Sequence, residues 1–369
     1  MSPLDLFESV PNFSEGKDQR VISAVASAAA PAFLLDVDAD PDHHRTVVSL
    51  AGGRSRLVNR LVGAIGTAAE RIDLRTHTGV HPRVGAADVV PIVPLAATSL
   101  DACLDLVREL GARVWSELKI PVFFYGHGSD GTLADIRAGR AQPDLGGPDL
   151  HPSAGAVCIG ARNLLVAFNV LLQGMSVAEA RVLARSLREA RSGMRGVQAL
   201  VFELPGDRLQ LSMNLFRVSE TPPAAVIQEL RRRGAVLGEQ QVVGLCPALA
   251  ADSAADGRIL EARIGAAVAR EGAQRCAALG DEEHVALGKR LGREADDLER
   301  LASRQEELLS GAERCVALGS VLGAAGELDD ELEAMALAAA RGLRSSLTAG
   351  TEAAYGARVK ALDGKLGSV

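Results

Sequence analysis

The stretch from Ile72 to Pro91, IDLRTHTGVHPRVGAADVVP, places His77 and His81 four apart, follows the second with Pro82-Arg83, and then supplies Asp88. Three chemistries compete for it. Two imidazoles at that spacing on a helix would share a face and could ligate zinc. However, no HExxH-style glutamate lies between them, and Gly79 and Pro82 oppose a helix. The pair could instead be two hydrogen-bonded loop histidines. The third reading is general acid–base work by one imidazole on a Gly/Pro-shaped loop. Histidine titrates near working pH, as proton shuttling at an amine requires. Arg83 would then grip an anionic substrate group by a bidentate contact.

Further polar clusters flank this one. Asp36-Val-Asp38-Ala-Asp40-Pro-Asp42-His43-His44-Arg45 alternates acids. Pro41 and the lack of a suitably spaced glutamate argue against a calcium loop. On a strand end the alternation sets Asp36, Asp38 and Asp40 on one face. They are either solvated and paired with Arg45, or a carboxylate there orients a base or binds a cationic substrate group. The segment Gly155 to Asn169 offers Gly160-Ala161, small enough for a ligand ring to approach the backbone, with Arg162 and Asn169 as polar ends. The alternative is a core strand with a surface arginine. Gly126-His-Gly-Ser-Asp-Gly131 follows a strand but lacks both phosphate-loop spacings, so it reads as a flexible loop near a site.

The elements that must position these groups follow from periodicity. Phe33–Val37, Thr46–Leu50, Val89–Val93 and Pro121–Tyr125 are short β-rich runs separated by Ala-rich windows of helical length. Leu100, Leu104, Val107, Leu110 and Val114 predict a helix before the last of them. From Val170 to Ala250 the pattern repeats. Ser176 is a fitting N-cap for a helix over Val177–Arg191. A hairpin is expected over Ala199–Leu204 and Leu209–Leu215, a helix after Pro222-Pro223, and a strand at Gln241–Leu245. Beyond 250 the texture is helical. Leu287, Leu291, Leu298, Leu301 and Leu308 predict one amphipathic helix within four or five, and Ala251–Gly257 reads as a linker. Layered α+β followed by an all-α tail is the expected architecture.

Composition sets the outer bounds. Apolar residues are 47% and charged residues 24%, ordinary for a globular chain, and aromatics at 3% leave the core to Ala, Val and Leu. A formal charge of -7 argues against nucleic acid as a partner. The cysteines are scattered without a CxxC pair, which fits buried free thiols in a reducing compartment. The N-terminus carries early acids and no secretory pattern, and no run is apolar enough for a membrane span, so a cytoplasmic location is expected.

Taken in order, these stretches resemble the glutamate formiminotransferase family. The matching pieces include Val10-Pro-Asn-Phe-Ser-Glu-Gly16, Leu35-Asp-Val-Asp38, Asp42-His-His-Arg-Thr-Val47, and Ile72 through Arg83 with Gly85 to Pro91. They continue with Pro143-Asp-Leu-Gly146, His151-Pro-Ser-Ala-Gly-Ala156, Gly160-Ala-Arg162, Ala167-Phe-Asn169, Leu211-Ser-Met-Asn-Leu215 and Val243-Gly-Leu-Cys-Pro247. The resemblance implies transfer of a formimino group from N-formimino-L-glutamate to N5 of tetrahydrofolate as co-substrate. It implies two ferredoxin-like α/β subdomains, at 1–170 and 171–250, forming a groove, and a homodimer. The histidine before Pro-Arg, His81, inherits the catalytic role, with Asp38 as its carboxylate partner. Substrate and folate contacts fall to Arg83, Asp36, His44, Arg45, Gly160, Ala161, Arg162, Asn169 and Asn214, with no metal. Residues 251–369 would be a helical appendage, a truncated cyclodeaminase-like remnant without that activity, since no Gly-Gly-Gly-Ser run is present. Where the family commonly reads Asp-His-Asn-Arg, this chain has His44, an exchange that bears on substrate selectivity. Two other activities share these residues: formyl transfer from 5-formyltetrahydrofolate, and folate binding without catalysis in an assembly protein.

Overall fold

Val10-Pro11 interrupts the first strand of the chain, because proline cannot donate to a ladder. The two pieces, β1 (Leu6–Ser9) and β2 (Asn12–Phe13), still pair with the same neighbours. This computed structural model describes residues 4–30, 33–79 and 82–367. The chain divides into two compact units, Met1–Leu164 and Leu165–Val369.

In the first unit, α1 (Gln19–Ala29) leads to the hairpin β3 (Phe33–Asp40) and β4 (Arg45–Gly53). Then come α2 (Arg54–Arg71) and β5 (Ala87–Leu95). The hairpin is outermost, β1 and β2 lie between β4 and β5, and all of these pairings are antiparallel. That is the ferredoxin-like βαββαβ order. The sheet is then extended by α3 (Leu100–Arg113), β6 (Val122–Gly126), the short α4 (Leu133–Arg137) and β7 (Val157–Ala161). β7 and β6 add to the β5 edge in parallel. The expected strands and the Leu100 helix are thus present.

One face of this sheet is covered by helices. Val25, Leu57, Leu61 and Leu106 pack there with strand residues such as Val48, Val90 and Ile159. Alternation sends the neighbouring strand residues to the other face, where Val89, Phe123, Tyr125 and Cys158 form a smaller cluster with Ile136 of α4.

The second unit repeats the motif. β8 (Val166–Gln173), α5 (Val177–Leu187), the hairpin β9 (Val197–Leu204) and β10 (Arg208–Leu215), α6 (Pro223–Arg232) and β11 (Val236–Val243) give the antiparallel order β11-β8-β10-β9. Ser176 caps α5 through a full capping box with Glu179. Six helical segments follow among the described residues, where four or five were expected: α7 (Leu260–Leu279), α8 (Glu282–Glu299), α9 (Gln305–Ala324), α10 (Asp330–Ser345), α11 (Ala349–Ala354) and α12 (Gly356–Gly367). Small residues let these helices approach closely: a Cβ on Gly265 or Gly272 would run into Cys315 or Leu322.

Two expectations are corrected here. The leucine pattern from Leu287 to Leu308 spans two helices, because the chain breaks between Glu299 and Gln305. Asp256 accepts from Ser303 N–H and Oγ, and Glu307 accepts from Ala302 N–H, so side chains take donors that a continuous helix would use itself. The Ala251–Gly257 segment is not a free linker either. Ala251, Ala254 and Ala255 pack into the core of the second sheet, and Glu261 at the start of α7 accepts from Ala248 N–H at 2.8 Å.

Candidate active site

The face of the first sheet opposite α1, α2 and α3 gathers the acids and bases read from the sequence. Registered partners on neighbouring strands share a face. Val37 opposes Val48, which lies in the helix-side core, so Asp36, Asp38 and Asp40, opposite Ser49, Val47 and Arg45, face the other way. A bulge between Leu34 and Asp36 sets that parity. Asp38 is buried and Asp36 half-buried. The β3–β4 turn is shaped by Asp40, whose carboxylate accepts from His43 N–H at 2.9 Å.

The segment after β2 packs against this turn. A Cβ on Gly16 would overlap the Asp40 carbonyl and the Arg45 nitrogen, so only glycine lets the two backbones meet. The approach delivers Glu15. Its Oε1 accepts from the backbone N–H groups of Gly16, Lys17 and Asp18 at 2.9, 2.7 and 3.0 Å. It also lies 2.9 Å from His44 Nε2. Burial alone would raise the Glu15 pKa, but these bonds outweigh it and hold the carboxyl below its ordinary value.

The loop after α2 crosses the same region. His77 stacks on His44, centroids 4.0 Å apart, and Arg83 Nη1 lies 2.6 Å from His77 Nδ1. Burial, then the charges of Arg83 and His44, lower the His77 pKa to about 4. The same Nη1 lies 2.7 Å from His77 Nε2, so the guanidinium charge bears on the whole ring and disfavours its protonation. Asp88 is 3% exposed; it accepts from Val84 N–H at 2.6 Å and from Arg137 Nη2 at 3.0 Å. Arg45 feels Asp88 together with Arg137 and Arg83, and burial pushes its guanidinium down to about 10, which leaves it charged at neutral pH. The result is a nest of arginines with one buried carboxylate, suited to an anionic ligand.

On β7, Gly160 shares this face with Tyr125, and a Cβ there would overlap the Tyr125 carbonyl and ring. Protein, then, already uses the space that the glycine leaves. Burial drives the Tyr125 pKa upward, and the charge of Arg162 opposes this. Ala161 points into the helix-side core and reaches the loop only through its carbonyl, which accepts from His127 N–H at 2.8 Å. Asn169 and Asn214 belong to the second unit. Val170 and Met213 lie in its core, so both asparagines sit on the opposite face of that sheet, Asn169 against Ser212 and Asn214 against Ala167. His81 lies outside the described residues.

Glu15, Asp88, Tyr125 and Arg137 were not among the candidate site residues read from the sequence. Asp88 stood in the opening stretch without a partner to give it a role. Glu15 and Arg137 meet their partners only through tertiary contacts. A glutamate directly before a glycine, in a stretch already marked out by resemblance, was the available signal for Glu15.

Comparison with known proteins gives a consistent answer. A family model described as the formiminotransferase domain, N-terminal subdomain, matches residues 6–162. A glutamate formimidoyltransferase of Thermoplasma acidophilum is 37% identical over 270 residues, covering 66% of this chain and 89% of that one. Its counterpart in Streptococcus pyogenes serotype M1 is 33% identical over 273 residues, with 66% and 90% covered. A formimidoyltransferase-cyclodeaminase of Rattus norvegicus is 37% identical over 272 residues, of which this chain spans 50% of the length.

Proposed function

The chain belongs to the formiminotransferase family, and on that premise we propose that it transfers the formimino group of N-formimino-L-glutamate to N5 of tetrahydrofolate, its co-substrate. The observation that carries this reading is the 37% identity to a glutamate formimidoyltransferase across 89% of that protein's length.

In this reading N5 of the folate attacks the formimino carbon and loses a proton to His81. The tetrahedral intermediate then breaks its bond to the glutamate nitrogen, which takes the proton back from the same ring. One proton leaves and one returns, so no further reactant is needed. A positioned base of this kind is worth roughly 10²–10⁴-fold in rate. Asp38 orients the imidazole and favours its charged form. Asp36 faces the positive formimino end. Arg83, Arg45 and Arg162 anchor the carboxylates of glutamate and folate. On the folate side, Gly160 and Ala161 offer backbone, and Asn169 and Asn214 offer amides. The arginine nest around Asp88 supports an anionic ligand here, and holding both substrates on one scaffold supplies the orientation term.

We assign the transferase to the two subdomains of residues 1–250, which meet at 164/165 rather than at the expected 170/171, with 251–369 as a helical appendage that lacks cyclodeaminase activity. The enzyme works in the cytoplasm as a homodimer. Five free, buried cysteines suit a reducing compartment, and among the described residues no helix is long and apolar enough to cross a membrane.

The test is purified protein with formiminoglutamate and tetrahydrofolate. Wild type is expected to turn over, and His81→Ala to lose most of its rate. Turnover with 5-formyltetrahydrofolate alone would redirect the reading to formyl transfer. Folate binding without any turnover would leave a non-catalytic binder.

A further inference from the structure

His44 occupies the last position of the β3–β4 turn with φ 50. That left-handed region suits glycine and asparagine, and a longer side chain stays there when its surroundings hold it. Here they do. His44 Nδ1 lies 2.9 Å from the Thr78 carbonyl, Nε2 lies 2.9 Å from Glu15 Oε1, and the ring face stacks on His77. The side chains of His44 and Glu15 are only 15% and 16% exposed.

Each ring nitrogen ties a different segment to the turn. Nε2 holds Glu15, which the backbone N–H groups of Gly16, Lys17 and Asp18 have already fixed. Nδ1 holds the loop at Thr78, three residues before His81 in the sequence. Two residues after His81, Arg83 lies against His77, on which His44 stacks. The chain is thus tied to the turn before His81 by the His44 ring at Thr78, and after it by Arg83, which donates to the His43 and His44 carbonyls.

We propose that His44 is a positioning residue: by bridging Glu15 and Thr78 it fixes the segment leading up to His81 in the sequence against the β3–β4 hairpin, and proton transfer at His81 depends on that bridge. In this role His44 acts through the loop, in place of the substrate contact that the resemblance implies for it. The inference rests on His81 being the proton carrier. A misplacement of about 1 Å in a reacting group can cost up to ~10²-fold, so the bridge is expected to show in turnover.

Two variants separate positioning from folding. His44→Gly removes the ring and keeps the left-handed backbone without strain. His44→Asn keeps that backbone and one donor. Glycine is expected to lower kcat roughly 10- to 10²-fold with KM for both substrates unchanged, and asparagine to recover most of the loss. Adding Glu15→Gln to His44→Gly should cost little more, because the two act as one unit. Amide exchange over 73–79 should rise in His44→Gly while the helices keep their protection. A wild-type kcat in His44→Gly, a loss confined to KM, or unchanged exchange over 73–79 overturns the inference. Inactivity of the wild type would sink the transferase reading instead, and the exchange comparison would still decide this one.

Discussion

Arg137 donates from Nη2 to Asp88 Oδ2 at 3.0 Å and so joins the short helix α4 to strand β5 across 49 positions of sequence. Asp88 is nearly sealed from solvent, and its second oxygen is spent on Val84 N–H. Arg45 and Arg83 also lean on this carboxylate electrostatically. Removing its charge leaves partly buried guanidinium groups facing one another. Asp88→Asn is therefore expected to cost roughly 3–5 kcal/mol, the range for breaking a buried ion pair from one side. Urea unfolding measures it, and wild-type stability in that variant would show that the nest is neutralised by other means.

The half-buried His77 makes stability depend on pH. Its pKa in the folded chain, about 4, lies below the ordinary 6.5. Between those values the unfolded chain binds a proton that the folded chain refuses, so stability is lost as pH falls through the window. Glu15, also held low, acts with the same sign, but only below its ordinary 4.5. Above pH 4.5 His284, held above its ordinary value by its bond to Asp281, acts with the opposite sign, so the signature of His77 is the change in slope between wild type and His77→Gln. Denaturant midpoints at pH 7 and pH 5 in both chains check this. Equal losses in the two would place the titration elsewhere.

Gly160 distinguishes a ligand's need for space from the protein's own. The sequence suggested room for a ligand ring, but the Tyr125 ring and carbonyl stand where a Cβ would go. Gly160→Ala is thus expected to lower stability by roughly 1–3 kcal/mol, as overpacking does, by pushing β6 away from β7. Unfolding of the variant measures it. Full stability with a raised KM for folate would return the position to the ligand.

What was legible in the sequence was local. The runs at Phe33, Thr46 and Val89 became strands, Ser176 became a capped start, and Pro-Gly-Asp became the β9–β10 turn. Periodicity records which face of an element is buried, and it carried through. It does not record a break that leaves the face intact: Leu298, Leu301 and Leu308 are all buried although α8 ends between the first two. The site was half legible for the same reason. Asp36 and Asp38 announce a shared face by alternation, whereas Glu15 meets His44 across 29 positions and Arg137 meets Asp88 across 49. No short-range rule reports such a pair.

The end of the transferase region is the last point where chain pattern and packing part company. A cut after Ala250 looks safe from sequence, since Ala251–Gly257 has linker composition. Yet Ala255 is fully buried in the second core, Cys246 pairs with Ile259 in a β-bridge, and Glu261 satisfies Ala248 N–H from α7. A chain ending at Ala250 would lose these and expose the Cys246–Ala250 turn. Losing such buried contacts costs a few kcal/mol, which for a unit of this size lowers Tm by roughly 10 °C. Calorimetry of the shortened chain beside the full one measures the difference. An unchanged Tm would mean that the helices ride on the second sheet without supporting it, and that they can be removed without touching the transferase.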